Sequence, residues 1–166
     1  MGEAGRPEGA VKRAADAAPQ PAPTPALRVR RVVGSVFSWF HPDEADLAGE
    51  SYRNLLEARL SQALSDLKTA KEQGDPARVE AEKGAVFVIA TGLATFGDLD
   101  RAIVALDHLP DSRRIQPLAG TLPGFLPLPP DLDPKRDPVA AAGWLRAHRA
   151  WLRWVPDSHF ALEAEG

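Results

Sequence analysis

The sequence predicts an all-α fold: a helical bundle built on a long helical hairpin, with a Pro-rich apolar strap and a disordered N-terminal arm. Three observations carry that expectation. Tyr52, Leu55, Leu56, Leu60, Ala63, Leu64 and Leu67 recur at helical spacing, while Arg53, Glu57, Asp66 and Lys68 fall on the other side. The run Gly84 to Gly97, GAVFVIATGLATFG, holds fourteen residues without a charge. Between the two lies Gln73-Gly74-Asp75-Pro76, where glycine suits a left-handed C-terminal position and Asp-Pro supplies a cap and a first helical residue.

The charge-free run has two alternatives to a buried helix. A membrane span needs about 20 apolar residues, and charges at Glu80, Glu82, Lys83, Asp98 and Asp100 bound this one too closely. A buried strand would suit Val86, Phe87, Val88 and Ile89. The capped segment from Asp75 runs into them without a break, however, and favours a helix that is surrounded on nearly all sides.

In chain order, residues 1–26 form a Pro/Ala-rich arm ending in QPAPTPA, with almost nothing to build a core. Val29, Val32, Val33, Val36, Phe37 and Phe40 then give one face of a helix, with Arg28, Arg30 and Arg31 at its start and Pro42 at its stop. Basic residues at a helix N-terminus oppose the macrodipole, so an acidic neighbour is expected: the bundle, a partner or anionic lipid. A long helix is expected from Glu44 or Glu50 to Gln73, with Gly49 as a weak point. After the charge-free run, Asp98 caps a shorter helix that Leu109-Pro110 stops. Residues 117–138 hold seven prolines yet also Leu118, Leu122, Phe125, Leu126 and Leu128, which suggests an apolar strap across the bundle. Asp137-Pro138 opens a last helix to about Val155, closed by Pro156, and 157–166 is a frayed tail. The bundle domain is thus 27–156.

Composition limits the functions available. The net charge of −3 argues against a general nucleic-acid binder, but residues 44–111 hold 7 basic against 13 acidic side chains and the flanks are mildly basic. Flanks folding back onto an acidic middle is the simpler explanation. The chain has no cysteine, and its N-terminus shows no secretory apolar segment, so a cytoplasmic location is expected. His41 with Asp43 and Glu44, and Asp107-His108 with Asp111, are the only local acid and histidine clusters. Neither has metal-ligand spacing. Gly84, Gly92 and Gly97 are followed by no Lys-Ser or Lys-Thr, so no phosphate loop is expected. No catalytic, cofactor or metal residue is therefore assigned.

Two segments qualify as contact surfaces. The first is the basic helix with Arg28, Arg30, Arg31, Phe37 and Trp39. The second is the Trp/Arg helix with Trp144, Arg146, Arg149, Trp151 and Arg153. Tryptophan and arginine combine large buried area with directional donors, as interface hot spots do. The favoured expectation is a non-enzymatic protein-protein interaction module: an adaptor, accessory subunit or scaffold component whose partner is another protein. The alternative is electrostatic binding to nucleic acid or an anionic membrane surface through the same arginines. Each surface also has a bland explanation, namely core packing with arginines snorkelling beside it.

Overall fold

The computed structural model describes residues 24–36 and 50–163. The arm up to Pro23, the residues Phe37, Trp39 and Phe40, the region around Gly49, and 164–166 lie outside the described residues. Six helices and a small two-stranded sheet make up the rest: α1 Pro25–Val36, α2 Glu50–Glu72, α3 Pro76–Ala94, α4 Leu99–Asp107, a short α5 Gln116–Ala119, α6 Pro138–His148, β1 Leu152–Val155 and β2 His159–Leu162. Two 3-10 turns, Leu122–Gly124 and Arg149–Trp151, complete it.

Local chemistry sets the helix boundaries. Asp75, Asp98 and Asp137 are extended or non-helical cap residues, and their carboxylates accept from the backbone N–H of Arg78, Arg101 and Ala140 respectively. Each satisfies one of the donors that a helix N-terminus leaves open. Pro76 and Pro138 occupy first-turn positions where a missing N–H costs nothing. Gly74 turns the chain between α2 and α3 at φ 64°, a region in which glycine pays no side-chain penalty.

Helix α3 is the centre of the molecule. Gly84 and every residue from Val86 to Ala94 are buried. It packs against α1, α2 and α4, and α4 in turn packs against α6. A helix with no polar face is stable only when encircled in this way. From α2 it receives Tyr52, Leu56, Leu60, Ala63, Leu67 and Ala70. Leu64, expected in that stripe, is instead exposed. Gly92 lets α1 and α2 approach α3 closely: a Cβ there would lie 3.0 Å from Leu56 and 3.3 Å from Val33.

Several expectations need correction. The all-α class gives way at the C-terminus, where the last helix ends at His148 rather than near Val155 and β1 pairs antiparallel with β2 from Leu152↔Leu162 to Val155↔His159. Pro156 disfavours helical backbone at Val155 before it, and Asp157 turns the chain at φ 61°. Residues 157–163 are therefore part of a hairpin, not a frayed tail. Ser158 O accepts from Ala26 N at the start of α1, and Phe125 O accepts from Phe160 N. Between 117 and 138 the prolines do not exclude helix altogether, since Pro117 and Pro123 sit in the first turns of α5 and of the 3-10 turn. Leu118, Leu122, Phe125 and Leu126 are all buried.

Candidate interaction site

Helix α1 begins at Pro25, four residues before the expected start, and this changes what its arginines do. Arg28 closes the first turn, and Arg30 and Arg31 lie in the second, away from the N-terminus. Their faces differ. Arg28 and Arg31 are exposed, and each is engaged by neighbours. Arg30 is 2% exposed and points into the bundle.

Arg30 is therefore not available as a surface contact, which corrects its place in the predicted set. Its Nε donates to Thr95 Oγ1 at 2.9 Å and its Nη2 to the Thr95 carbonyl at 2.8 Å. The guanidinium carbon sits 4.1 Å from the centre of the Phe96 ring, a cation-π contact in a desolvated setting. Asp157, on the hairpin turn, approaches Nη2 at 3.9 Å but is 82% exposed. Desolvation lowers the Arg30 pKa from its ordinary value, and Asp157 and then Tyr52 partly oppose that. A buried cation is tolerable only when its donors are occupied. The C-terminal end of α3 supplies the partners: Thr95 Oγ1 takes the Arg30 bond while its own proton goes to the Gly92 carbonyl at 2.5 Å.

The second predicted surface lies at the end of α6. Trp144 and His148 stack with ring centres 4.1 Å apart and planes 18° apart. His148 meets Trp151 at 5.9 Å. The i to i+4 spacing brings the first pair together, and the 3-10 turn brings in Trp151. His148 Nδ1–H donates to the Trp144 carbonyl at 2.8 Å, which fixes the ring. All three rings are half-buried. The neighbouring arginines reach carboxylates: Arg146 to Asp107 at 2.6 Å, Arg149 to Asp100, and Arg153 to Glu163 at 2.6 Å. Two of these partners lie on the acidic middle of the chain. Such exposed pairs stabilise by about 0–1 kcal/mol each.

Trp154 stands apart from the other two tryptophans. It packs against Phe160 and Phe125, with ring centres 4.9 and 6.0 Å away. Gly97, at φ 99°, lies directly beneath the indole, and a Cβ there would be 2.8 Å from its Cδ1. Beside this packing opens a cleft of about 480 Å³, lined by Arg53, Phe96, Gly97, Asp98, Leu99, Asp100, Arg149, Leu152, Trp154 and Phe160. Sequence reasoning missed it. Arg53 reads as a solvent-facing residue of α2, and nothing local says that the turn after α3 places Phe96 within 5.9 Å of its guanidinium. A smaller groove of about 400 Å³ runs between Arg28, Arg31 and Val32 of α1 and residues Gly120, Thr121 and Gly124.

Among the described residues no group of three or more histidines and carboxylates is placed to hold a metal ion. No helix among them is long and apolar enough to cross a membrane. His108 Nδ1–H donates to Val104 O at 2.8 Å, so that histidine is held by its own helix. No protein-family model, curated protein or solved structure matches this chain.

Proposed function

We propose that the chain is a non-enzymatic interaction module, an adaptor, accessory subunit or scaffold component that docks another protein on the end of α6. One observation carries this reading: the Trp144, His148 and Trp151 ladder stays half-buried on an ordered element, with Arg146 and Arg149 each 52% exposed beside it. Stacked rings held by a fixed backbone bond lose little freedom on binding, and flanking arginines add directional donors. In this reading α2 and α3 act as a rigid helical hairpin, and 117–138 as the strap that closes the bundle over it. Both position the contact face without touching a partner. Arg153 belongs to the rim of that face; Arg28 and Arg31 mark a separate one; Arg30 leaves the set. A cysteine-free chain also suits a reducing compartment such as the cytoplasm.

The electrostatic alternative has less support, because Arg146, Arg149 and Arg153 already face Asp107, Asp100 and Glu163. Binding to nucleic acid or anionic vesicles would fall steeply with salt, whereas binding on the aromatic face would persist. The deciding experiment replaces Trp144 and Trp151 together with Ala in the full chain. Cross-linked partner peptides mapping to the end of α6 should disappear while the cooperative melt survives. Partner capture unchanged in a variant that has merely lost stability would make the ladder core packing and end this reading.

A further inference from the structure

The cleft between α2, the turn after α3 and the C-terminal hairpin has a charge pattern that is not closed. Four charged side chains line it: Arg53, Arg149, Asp98 and Asp100. Asp100 is paired with Arg149. Asp98 caps α4 and faces Arg101 Nε at 3.7 Å. Arg53 is left over. It is half-buried, and among the described residues it makes no hydrogen bond or ion pair, only a ring contact with Phe96, 5.9 Å from the ring centre. A guanidinium presents donors in a planar fork that matches a carboxylate, and among the described residues that fork meets no carboxylate.

The remaining side chains of the lining are Phe96, Trp154, Phe160, Leu152 and Leu99, though most of the exposed lining is polar, Phe160 is buried and Phe96 already carries Arg30, which leaves Trp154 as the main aromatic wall. Trp154 packs against Phe125, Phe160 and Gly97, so its ring is rigidly held where it lines the cleft. A volume of about 480 Å³ falls within the size of small-ligand sites, roughly 300–1,000 Å³. We propose that this cleft binds a carboxylate borne next to an aromatic or large apolar side chain, with the carboxylate on Arg53 and the side chain against Trp154. The same chemistry is offered by a free N-blocked aromatic amino acid and by the C-terminal residue of a peptide.

Asp98 and Asp100 add selectivity. Their carboxylates in the lining repel a second negative charge on the ligand, so a monoanion is favoured over a dicarboxylate. The cleft adjoins the Trp144 and Trp151 face through Arg149, which borders both, but its aromatic wall is Trp154, and its ligand need not be the docking partner of that face.

Calorimetric titration of the full chain with N-acetyl-phenylalanine, its amide, and a short peptide ending in a free phenylalanine carboxylate tests this. The acid should bind saturably and the amide at least about tenfold more weakly, since one charge-assisted contact is lost. Arg53→Gln should weaken the acid to the level of the amide and leave the amide unchanged. The indole N–H resonance that Trp154→Phe removes should shift on binding. A peptide acid that binds tighter than the free acid identifies a polypeptide C-terminus as the source; equal affinity identifies the free acid. No saturable binding of either acid, or equal binding of acid and amide, overturns the proposal. The acid and amide comparison is made on the unaltered protein, so a folding defect in Arg53→Gln does not blunt it.

Discussion

The two arginine-bearing regions treat the same side chain in opposite ways. Helix α1 turns Arg30 inward, where a hydroxyl, a carbonyl and a phenyl ring replace water around the guanidinium. The C-terminal segment keeps Arg146, Arg149 and Arg153 at the surface, each against one carboxylate and each more than half exposed. The lesson is that a cluster of arginines on a helix says little about depth. What decides depth is whether the opposite wall offers polar atoms in register, as Thr95 does for Arg30. The turn Thr95-Phe96-Gly97 joins the regions, since Thr95 and Phe96 meet Arg30 while Gly97 meets Trp154.

Breaking that turn should give the largest effect. Gly97→Ala forces a side chain into positive φ and into the indole, and should destabilise the protein by about 3 kcal/mol in urea unfolding, with a shift in tryptophan emission. A cost below about 1 kcal/mol would mean that Trp154 moves aside freely and that the two regions are not rigidly joined.

Arg30→Ala comes next, at about 2 kcal/mol, through lost packing and unpaired Thr95 groups. Arg30→Met should recover at least half of that, because its stem fills the space and no cation needs desolvating. If methionine is no better than alanine, the hydrogen bonds outweigh the volume.

Tyr52 sharpens the inner half of the comparison. Its Oη is buried without a hydrogen-bond partner among the described residues, and burial pushes its pKa from 10.0 up to about 12, opposed by Arg30. The raised value means that the fold favours the neutral phenol, so this contribution is complete below pH 10 and is lost as pH rises to about 12. Tyr52→Phe should leave stability at neutral pH unchanged or higher by up to about 1 kcal/mol, and should flatten the alkaline loss in unfolding curves measured across that window. A large loss at neutral pH would show that the hydroxyl has a partner after all.

The smallest effect belongs to the outer arginines. Arg149→Gln or Arg153→Gln should change stability by about 0.5 kcal/mol or less, and less still at high salt. A cost comparable to that of Arg30→Ala would erase the contrast between the regions.

Much of the helical framework could be read without coordinates, because its signals are local. Asp75, Asp98 and Asp137 each cap the helix that follows them, and the charge-free run is the helix that the others surround. Caps and the 3.6-residue period act within one or two turns, so they are written in adjacent residues. Three features were not legible. Arg30 lies inside because of Thr95, 65 residues later. Residues 152–155 and 159–162 become strands by pairing with each other, and Phe125 and Ala26 add backbone partners to Phe160 and to Ser158 of the turn, though Pro156 was a local hint. The cleft at Arg53 exists only because α2, the Gly97 turn and Trp154 meet. By itself the sequence determined where the helices capped by Asp75, Asp98 and Asp137 start and which helix is central. The tertiary structure decided which charges are buried and which stay outside, because burial of a polar group depends on partners that no local pattern encodes.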